Sequence, residues 1–367
     1  MTSVLTSAEI KAEAHARGFD LCGVAPALAM PELSRLGEWL AQGYAGEMTY
    51  LHKSAATRAD IRRLLPTARS VIVTGTLYNV DEPRAVARER QATGSAASRA
   101  VDAVRVARYA RGEDYHLVLG DRLEALLVWM RSRHAEPFDA AVFVDKQHVQ
   151  ERVYAAYAGI GFIGKNACVI SPEIGSWLLL AGVATSLELA PDAPLPDQCG
   201  ACTLCLDACP TGALVEPRLL DATRCIAYLT IELRHAVPPG QRPHVDDHLF
   251  GCDICQDVCP WNLAAPVTSD PAWQGPTRDG AEAAELWQRS DRELHDFVRG
   301  SAMTYTSLAR LRRNLALIIG NAGDPSLAAA LDRPGRGVRN AAHSAETALV
   351  RDAVAWARNR LAAAAAG

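Results

Sequence analysis

Aromatic residues make up only 6% of this 367-residue chain, and its formal net charge is −4. Neither sign of charge dominates, so the chain as a whole does not read as a basic nucleic-acid binder. No apolar run approaches the ~20 residues that a membrane-spanning helix needs. The first residues, Met1 to Glu9, contain no basic leader and no twin arginine, so no export signal is expected. These absences predict a soluble, cytoplasmic protein, where thiols stay reduced. Hydrophobic residues at 49% are ample for a sizeable core, and the length allows two or three domains.

Cysteine is what the chain does have, ten of them. Cys199, Cys202, Cys205 and Cys209 run as C-x2-C-x2-C-x3-C and are closed by Pro210. This is the spacing of bacterial ferredoxins. Cys252, Cys255, Cys259 and Pro260 repeat the second half of the run, and Cys225 lies between the two. Zinc sites use paired C-x2-C or Cys/His sets instead, and disulfide frameworks belong to small secreted chains. Soft thiolates at this spacing predict two [4Fe-4S] clusters. In ferredoxins the last cysteine of each run crosses to the other cluster. Cys199, Cys202, Cys205 and Cys259 are therefore expected to hold one cluster. Cys209, Cys225, Cys252 and Cys255 are expected to hold the other. Cys22 and Cys168 read as small buried hydrophobes.

Upstream, the pattern alternates between helix and strand. Thr6 to Arg17 reads as a capped helix ended by Gly18. Phe19–Ala25, Ser70–Tyr78, Phe138–Asp145 and Ser176–Leu189 read as strands. Asp114–Arg133 carries apolar residues at helical spacing, and Val149–Ala158 also looks helical. Residues 80–105 read as a loop. An α/β or α+β domain over residues 1–190 follows. The proline-rich stretch Pro191–Pro196 leads into a cysteine module over 191–265. Residues 266–367 form a helical tail, with helices at Leu308–Gly320 and Ala341–Leu361 that suggest a HEAT-like region. Residues 301–367 hold nine Arg and four Asp or Glu. Arg310, Arg312 and Arg313 form a cluster that could hold phosphates, although most charge runs are solvated faces.

Three stretches could carry chemistry. Gly159-Ile-Gly161-Phe-Ile-Gly164-Lys165 matches G-x-G-x-x-G, but a dinucleotide fingerprint must follow a strand and open a helix. Here it follows a helix, so its glycines more plausibly allow close backbone approach. Asp145 ends a strand, where ligands of α/β folds tend to bind. It is either a helix-capping strand-end residue or a carboxyl whose pKa an apolar pocket raises for proton donation. Asp114, Tyr115 and His116 precede a long helix, as cap and packing residues or as an active-site wall.

Taken together, Tyr109 to His116, Gly159 to Asn166, Gly175-Ser-Trp177, the first cysteine run with Thr211-Gly-Ala-Leu214, Cys225 to Glu232, and Gly251 to Asn262 resemble the epoxyqueuosine reductase family. The resemblance spans roughly residues 5–265. It implies a flavin-reductase-like catalytic core related to reductive dehalogenases, which binds cobalamin as cob(II)alamin. It also implies a tRNA carrying epoxyqueuosine as substrate, a low-potential electron donor, and a monomer. By motif position Asp145 matches the family's proton donor, with Asp114 and His116 near the substrate. Arg58, Lys165 and Ser171 match corrin contacts. Two departures stand out: Lys146-Gln147-His148 follows Asp145 where small residues and proline are usual, and Ala227 replaces a frequent Ser. The alternatives are another corrinoid reductase, such as a reductive dehalogenase, and a non-catalytic electron carrier fused to a binding module.

Overall fold

The computed structural model describes residues 5–80, 102–274, 278–332 and 345–366. Most of the expected 80–105 loop, and the first residues of the last expected helix, lie outside them. Helix α1 (Ser7–Ala16) begins at a capping box, in which Thr6 accepts from the Glu9 amide and the Glu9 side chain returns to the Thr6 amide. Such reciprocal caps satisfy two otherwise orphaned donors.

The central sheet contains β1 (Leu21–Pro26), β2 (Ser70–Leu77), β3 (Ala140–Phe143) and β6 (Leu178–Thr185) in the order β1-β2-β6-β3. Every neighbouring pair is antiparallel. Of the two expected classes, this sheet is therefore α+β, and the parallel-sheet rationale for a ligand at the end of β3 does not apply. All eight positions of β2 are buried, as expected for a strand covered on both faces. The strand's two-residue period sorts its side chains. Ile72 joins a core with α1 and the long helix α3 (Tyr115–Arg133), through Ile10, Leu119 and Leu123. Val71 and Val73 join a second core with α4 (Glu151–Tyr157), through Val153 and Tyr154. Gly182 lets β3 seat tightly, since a Cβ there would lie 2.2 Å from the Ile72 carbonyl oxygen and 2.5 Å from the Phe143 ring.

The cysteine module follows. Its second half shares one apolar core with the tail: Leu229, Leu249 and Phe250 pack with Trp287, Leu311 and Leu315, and with Val104 and Val106 from upstream. Helices α6 (Leu308–Ala322) and α7 (Ala345–Ala366) pack against each other. Their closest approach is at Gly320, where an added Cβ would stand 2.8 Å from the Ala357 Cα. The arginine cluster is not a free phosphate patch. Arg312 and Arg313 are 2% and 1% exposed. Arg312 binds Asp291 at 2.7 Å and the carbonyls of Trp287 and Arg289. Arg313 donates to the carbonyls of Leu229, Leu233 and His235. Arg310 donates to the Ile231 carbonyl at 2.5 Å. Arg310 and Arg313 satisfy carbonyls at and just past the end of α5 (Ile226–Ile231), and Arg312 those at the end of the Ala283–Gln288 helix, as helix C-termini require.

No helix of the described residues is long and apolar enough to cross a membrane.

Candidate functional site

Two short helical turns, Leu204–Asp207 and Ile254–Asp257, present Cys205 and Cys255. Cys199, Cys202, Cys205 and Cys259 line one cavity of about 270 Å³, together with Lys165 and Trp261. Among the described residues, no group of three His, Cys, Asp or Glu is gathered tightly enough for a single metal ion. A cavity of this size between four thiols suits a larger inorganic core. The backbone supports the sulfurs: the Lys165 amide donates to Cys199 Sγ at 3.4 Å, and the Ala213 amide to Cys209 Sγ at 3.3 Å. Such N–H···S bonds stabilise cluster charge and tune potential.

Cys209, Cys225, Cys252 and Cys255 are the expected ligands of the other cluster. Burial raises the thiols of Cys225 and Cys252, and pushes Cys259 up to about 11. Burial would also raise Cys209, but hydrogen bonds from Thr211 and the Ala213 amide hold it below its ordinary value. Buried thiols of this kind ionise only beside a cationic core, so the donor set fits iron–sulfur clusters. The structure thus gathers four of the eight expected ligands around one cavity. Cys22 behaves as expected, its thiol raised to about 12 by burial. Cys168 is only partly buried, and its amide donates to Asn166 Oδ1 at 3.1 Å.

The second constellation lies at the end of β3. Asp145 adopts φ 55°, a left-handed conformation uncommon outside glycine and often found at functional sites. Its side chain is 64% exposed. Tyr115 Oη donates to Asp145 Oδ2 at 2.9 Å, and His116 Nε2 lies 3.4 Å from the same oxygen. The other ring nitrogen, His116 Nδ1, is 2.7 Å from Asp114 Oδ1. That oxygen also caps α3 by accepting the His116 amide at 3.1 Å. Tyr115 stacks on the His116 ring with centroids 4.0 Å apart. Asp114 is anchored in turn, its amide donating to the Gly300 carbonyl at 2.8 Å.

Charge follows from these contacts. The His116 hydrogen bond, followed by that of Tyr115, outweighs burial and holds Asp145 below the usual carboxylate range. Asp114 is lowered chiefly by its bond to His116. Burial opposes the charge on His116, but the bonds to Asp114 and Asp145 win and raise its pKa. Burial and the Asp145 charge raise Tyr115, which stays a hydroxyl donor. The expectation that an apolar pocket raises Asp145 is therefore reversed: two donors converge on its carboxylate. The bonds to Asp114 and Asp145 favour the charged form of His116.

The remaining expected residues are placed as follows. Arg58 Nη1 donates to the Val149 carbonyl at 2.7 Å and Nε to Ser54 Oγ at 3.0 Å, bracing the chain just after Asp145. Ser171 is 2% exposed and accepts the Glu173 amide. Lys165 Nζ is directed at the first cysteine loop, where it donates to the carbonyls of Gly200 and Cys202 at 2.7 and 2.9 Å. The Gly159–Lys165 stretch does not open a helix. It forms one arm of a hairpin, β4 (Phe162–Ile163) paired with β5 (Val169–Ile170). An added Cβ on Gly161 would lie 2.4 Å from the Ile170 carbonyl oxygen.

Two groups were not singled out from sequence. Tyr115 was read as a packing residue or as part of an active-site wall, without a role of its own. Glu151 opens α4; burial pushes its carboxyl up to about 8, with Asp145 adding to the effect. Its Oε1 is buried without a partner. Nothing in its sequence context distinguishes it from an ordinary first-turn acid.

A two-cluster iron–sulfur module feeding a histidine clasped between two carboxylates defines an iron–sulfur oxidoreductase. The family model "4Fe-4S double cluster binding domain" matches residues 198–262, and "Epoxyqueuosine reductase QueG, DUF1730" matches residues 58–146. The epoxyqueuosine reductase of Gloeobacter violaceus is 42% identical over 87% of this chain and 97% of its own length. That of Xanthomonas campestris is 36% identical over 96% and 95%. Among solved structures, an epoxyqueuosine reductase with an epoxyqueuosine-modified tRNA-Tyr stem loop superposes with a TM-score of 0.84. It is 29% identical, covering 96% of this chain and 89% of that one. The enzyme of Streptococcus thermophilus gives 0.80 at 26% identity, covering 97% and 90%. The chain belongs to the epoxyqueuosine reductase family.

Proposed function

We propose that this protein reduces epoxyqueuosine to queuosine at the wobble position of tRNA in the cytoplasm. The observation that carries the reading is His116 held between Asp114 and the exposed Asp145, in a chain of this family that also carries a double-cluster cysteine segment. The reaction converts an epoxide to an alkene. It consumes two electrons and two protons and releases the oxygen as water. Clusters deliver one electron at a time. A corrinoid, when bound, supplies the reducing centre that works at carbon.

The chain's own residues manage the proton. His116 stores it between Asp114 and Asp145. Asp145 presents the only solvent-facing oxygens of this set. Covering that carboxylate with a substrate desolvates it and favours its protonation, so the proton passes from His116 through Asp145 to the epoxide oxygen. Tyr115 fixes the carboxylate's orientation. Arg58 and Ser171 are proposed contacts to the corrin. The unpaired buried oxygen of Glu151, close to both Arg58 and Asp145 electrostatically, suits a group bearing amide donors, as the corrin rim does.

Residues 1–190 serve as the catalytic domain, 191–265 as the cluster module, and 266–367 as a HEAT-like tail that contacts tRNA. The protein acts as a monomer with a low-potential electron donor. Anaerobic incubation of the cluster-loaded, corrinoid-loaded protein with reductant and tRNA carrying epoxyqueuosine tests this. Queuosine on nucleoside analysis is expected, and unchanged epoxyqueuosine would refute it.

A further inference from the structure

The glycine-rich hairpin has no dinucleotide to cradle, yet it ends in a lysine. We infer that Lys165 raises the reduction potential of the cluster held by Cys199, Cys202, Cys205 and Cys259. Three observations converge on this. The Lys165 ammonium is half-buried and lies along the wall of the cavity formed by those four cysteines. It is held by the carbonyls of Gly200 and Cys202 at 2.7 and 2.9 Å, inside the very loop that carries the first two ligands. The amide of the same residue donates to Cys199 Sγ at 3.4 Å. One residue thus contributes both a full positive charge and an N–H···S bond.

The surroundings keep that ammonium in place. The Arg218 amide donates to the Lys165 carbonyl at 2.9 Å, and Arg218 Nε to the Ile163 carbonyl at 2.9 Å. Arg218 also pairs with Asp197 at 2.5 Å, whose carboxylate accepts the Cys199 amide at 3.0 Å. Asp197 is matched by Arg218, and the Lys165 ammonium rests on two neutral carbonyls. A cation fixed beside an iron–sulfur core stabilises its more negative, reduced form, and net charge and sulfur hydrogen bonds are what set such potentials.

The inference rests on reading the cysteines as cluster ligands, and not on the identity of the final substrate. Its test reads a potential, so it stands or falls separately from epoxide reduction. The holoprotein and the variants K165Q, K165M and K165R are titrated anaerobically and followed by electron paramagnetic resonance, with iron content measured in parallel. In K165Q and K165M one cluster should become at least tenfold harder to reduce, a fall of about 59 mV for one electron, while the other holds its value. K165R, which keeps the charge, should restore most of the difference. Unchanged potentials in neutral variants with full iron content would overturn the inference. Loss of the cluster in all three variants would assign Lys165 to holding the loop alone, and would overturn it as well. Loss in both neutral variants, with K165R retaining the cluster at the wild-type potential, would support it.

Discussion

His116 Nε2 stands 3.4 Å from Asp145 Oδ2, while the opposite nitrogen of the same ring is 2.7 Å from Asp114. One imidazole therefore bridges a capped, anchored carboxylate and an exposed one. The anchored partner fixes the ring, and the exposed partner is open to solvent. This arrangement stores a proton without a buried, permanently neutral acid.

Removing the exposed carboxylate should stop proton delivery and leave the electron path intact. Asp145→Asn is expected to keep full iron content and lose about 10²- to 10⁴-fold in kcat, the usual contribution of general acid–base catalysis. Single-turnover product analysis at matched iron content checks this.

The pH dependence follows from His116. Its folded pKa is raised above 6.5, so its stabilising contribution is complete below that unfolded value and is lost as pH rises through the folded one. Activity should fall across the same window as the proton is lost. Asp114→Asn removes the first-ranked bond that sustains the charge, and should move the basic limb of the kcat/KM profile to lower pH. A limb that stays in place would show that another group governs it.

Glu151 gives a second pH signature, in stability. Its carboxyl rises from 4.5 to about 8 on folding because it is buried. Stability from this group is complete below about pH 4.5 and is lost as pH rises to about 8. The isosteric neutral variant Glu151→Gln should flatten that slope. At neutral pH it should gain about 3–4 kcal/mol, because pH 7 lies ~2.5 pH units above the ordinary carboxyl value of 4.5 at ~1.4 kcal/mol each. Denaturation at several pH values measures it.

The tail arginines separate structure from binding. Arg313 is buried and donates to three carbonyls. Arg313→Gln should cost about 1–3 kcal/mol for each acceptor left unpaired. The salt slope of tRNA binding by the folded fraction should not change, because a buried guanidinium releases no counterions from phosphate.

The helix pair is tested at its tightest point. A Cβ at Gly320 would meet the Ala357 Cα at 2.8 Å. Gly320→Ala should therefore destabilise by about 1–3 kcal/mol as an overpacked contact, despite alanine's higher helix propensity. Chemical denaturation decides whether packing or propensity prevails.

Much of this was legible in the chain. The spacing of Cys199 to Pro210 and Cys252 to Pro260 made the double-cluster module legible, because ligand spacing is a local property. The strands at Ser70 and Leu178 were legible because burial on both faces leaves continuous apolar runs. The pairing direction was not, since antiparallel and parallel strands share that pattern. Asp145 was legible as a site, but its ionisation was not. Its pKa depends on Tyr115 and His116, some 30 residues away and folded back onto it by α3. The arginine cluster misled for the same reason: charge in sequence does not say whether a carbonyl-rich helix end waits across the core. Lys165 was readable as a motif position, but its target became apparent only when the hairpin met the cysteine loop.

The most direct test compares the wild type with Asp145→Asn, both loaded with two clusters and a corrinoid. Each is incubated anaerobically with reductant and tRNA carrying epoxyqueuosine, and the nucleosides are then analysed. The wild type should yield queuosine, and the variant should leave most of the epoxide intact within the same period. Epoxyqueuosine left unchanged by the fully loaded wild type, or equal queuosine from both proteins, would contradict the account.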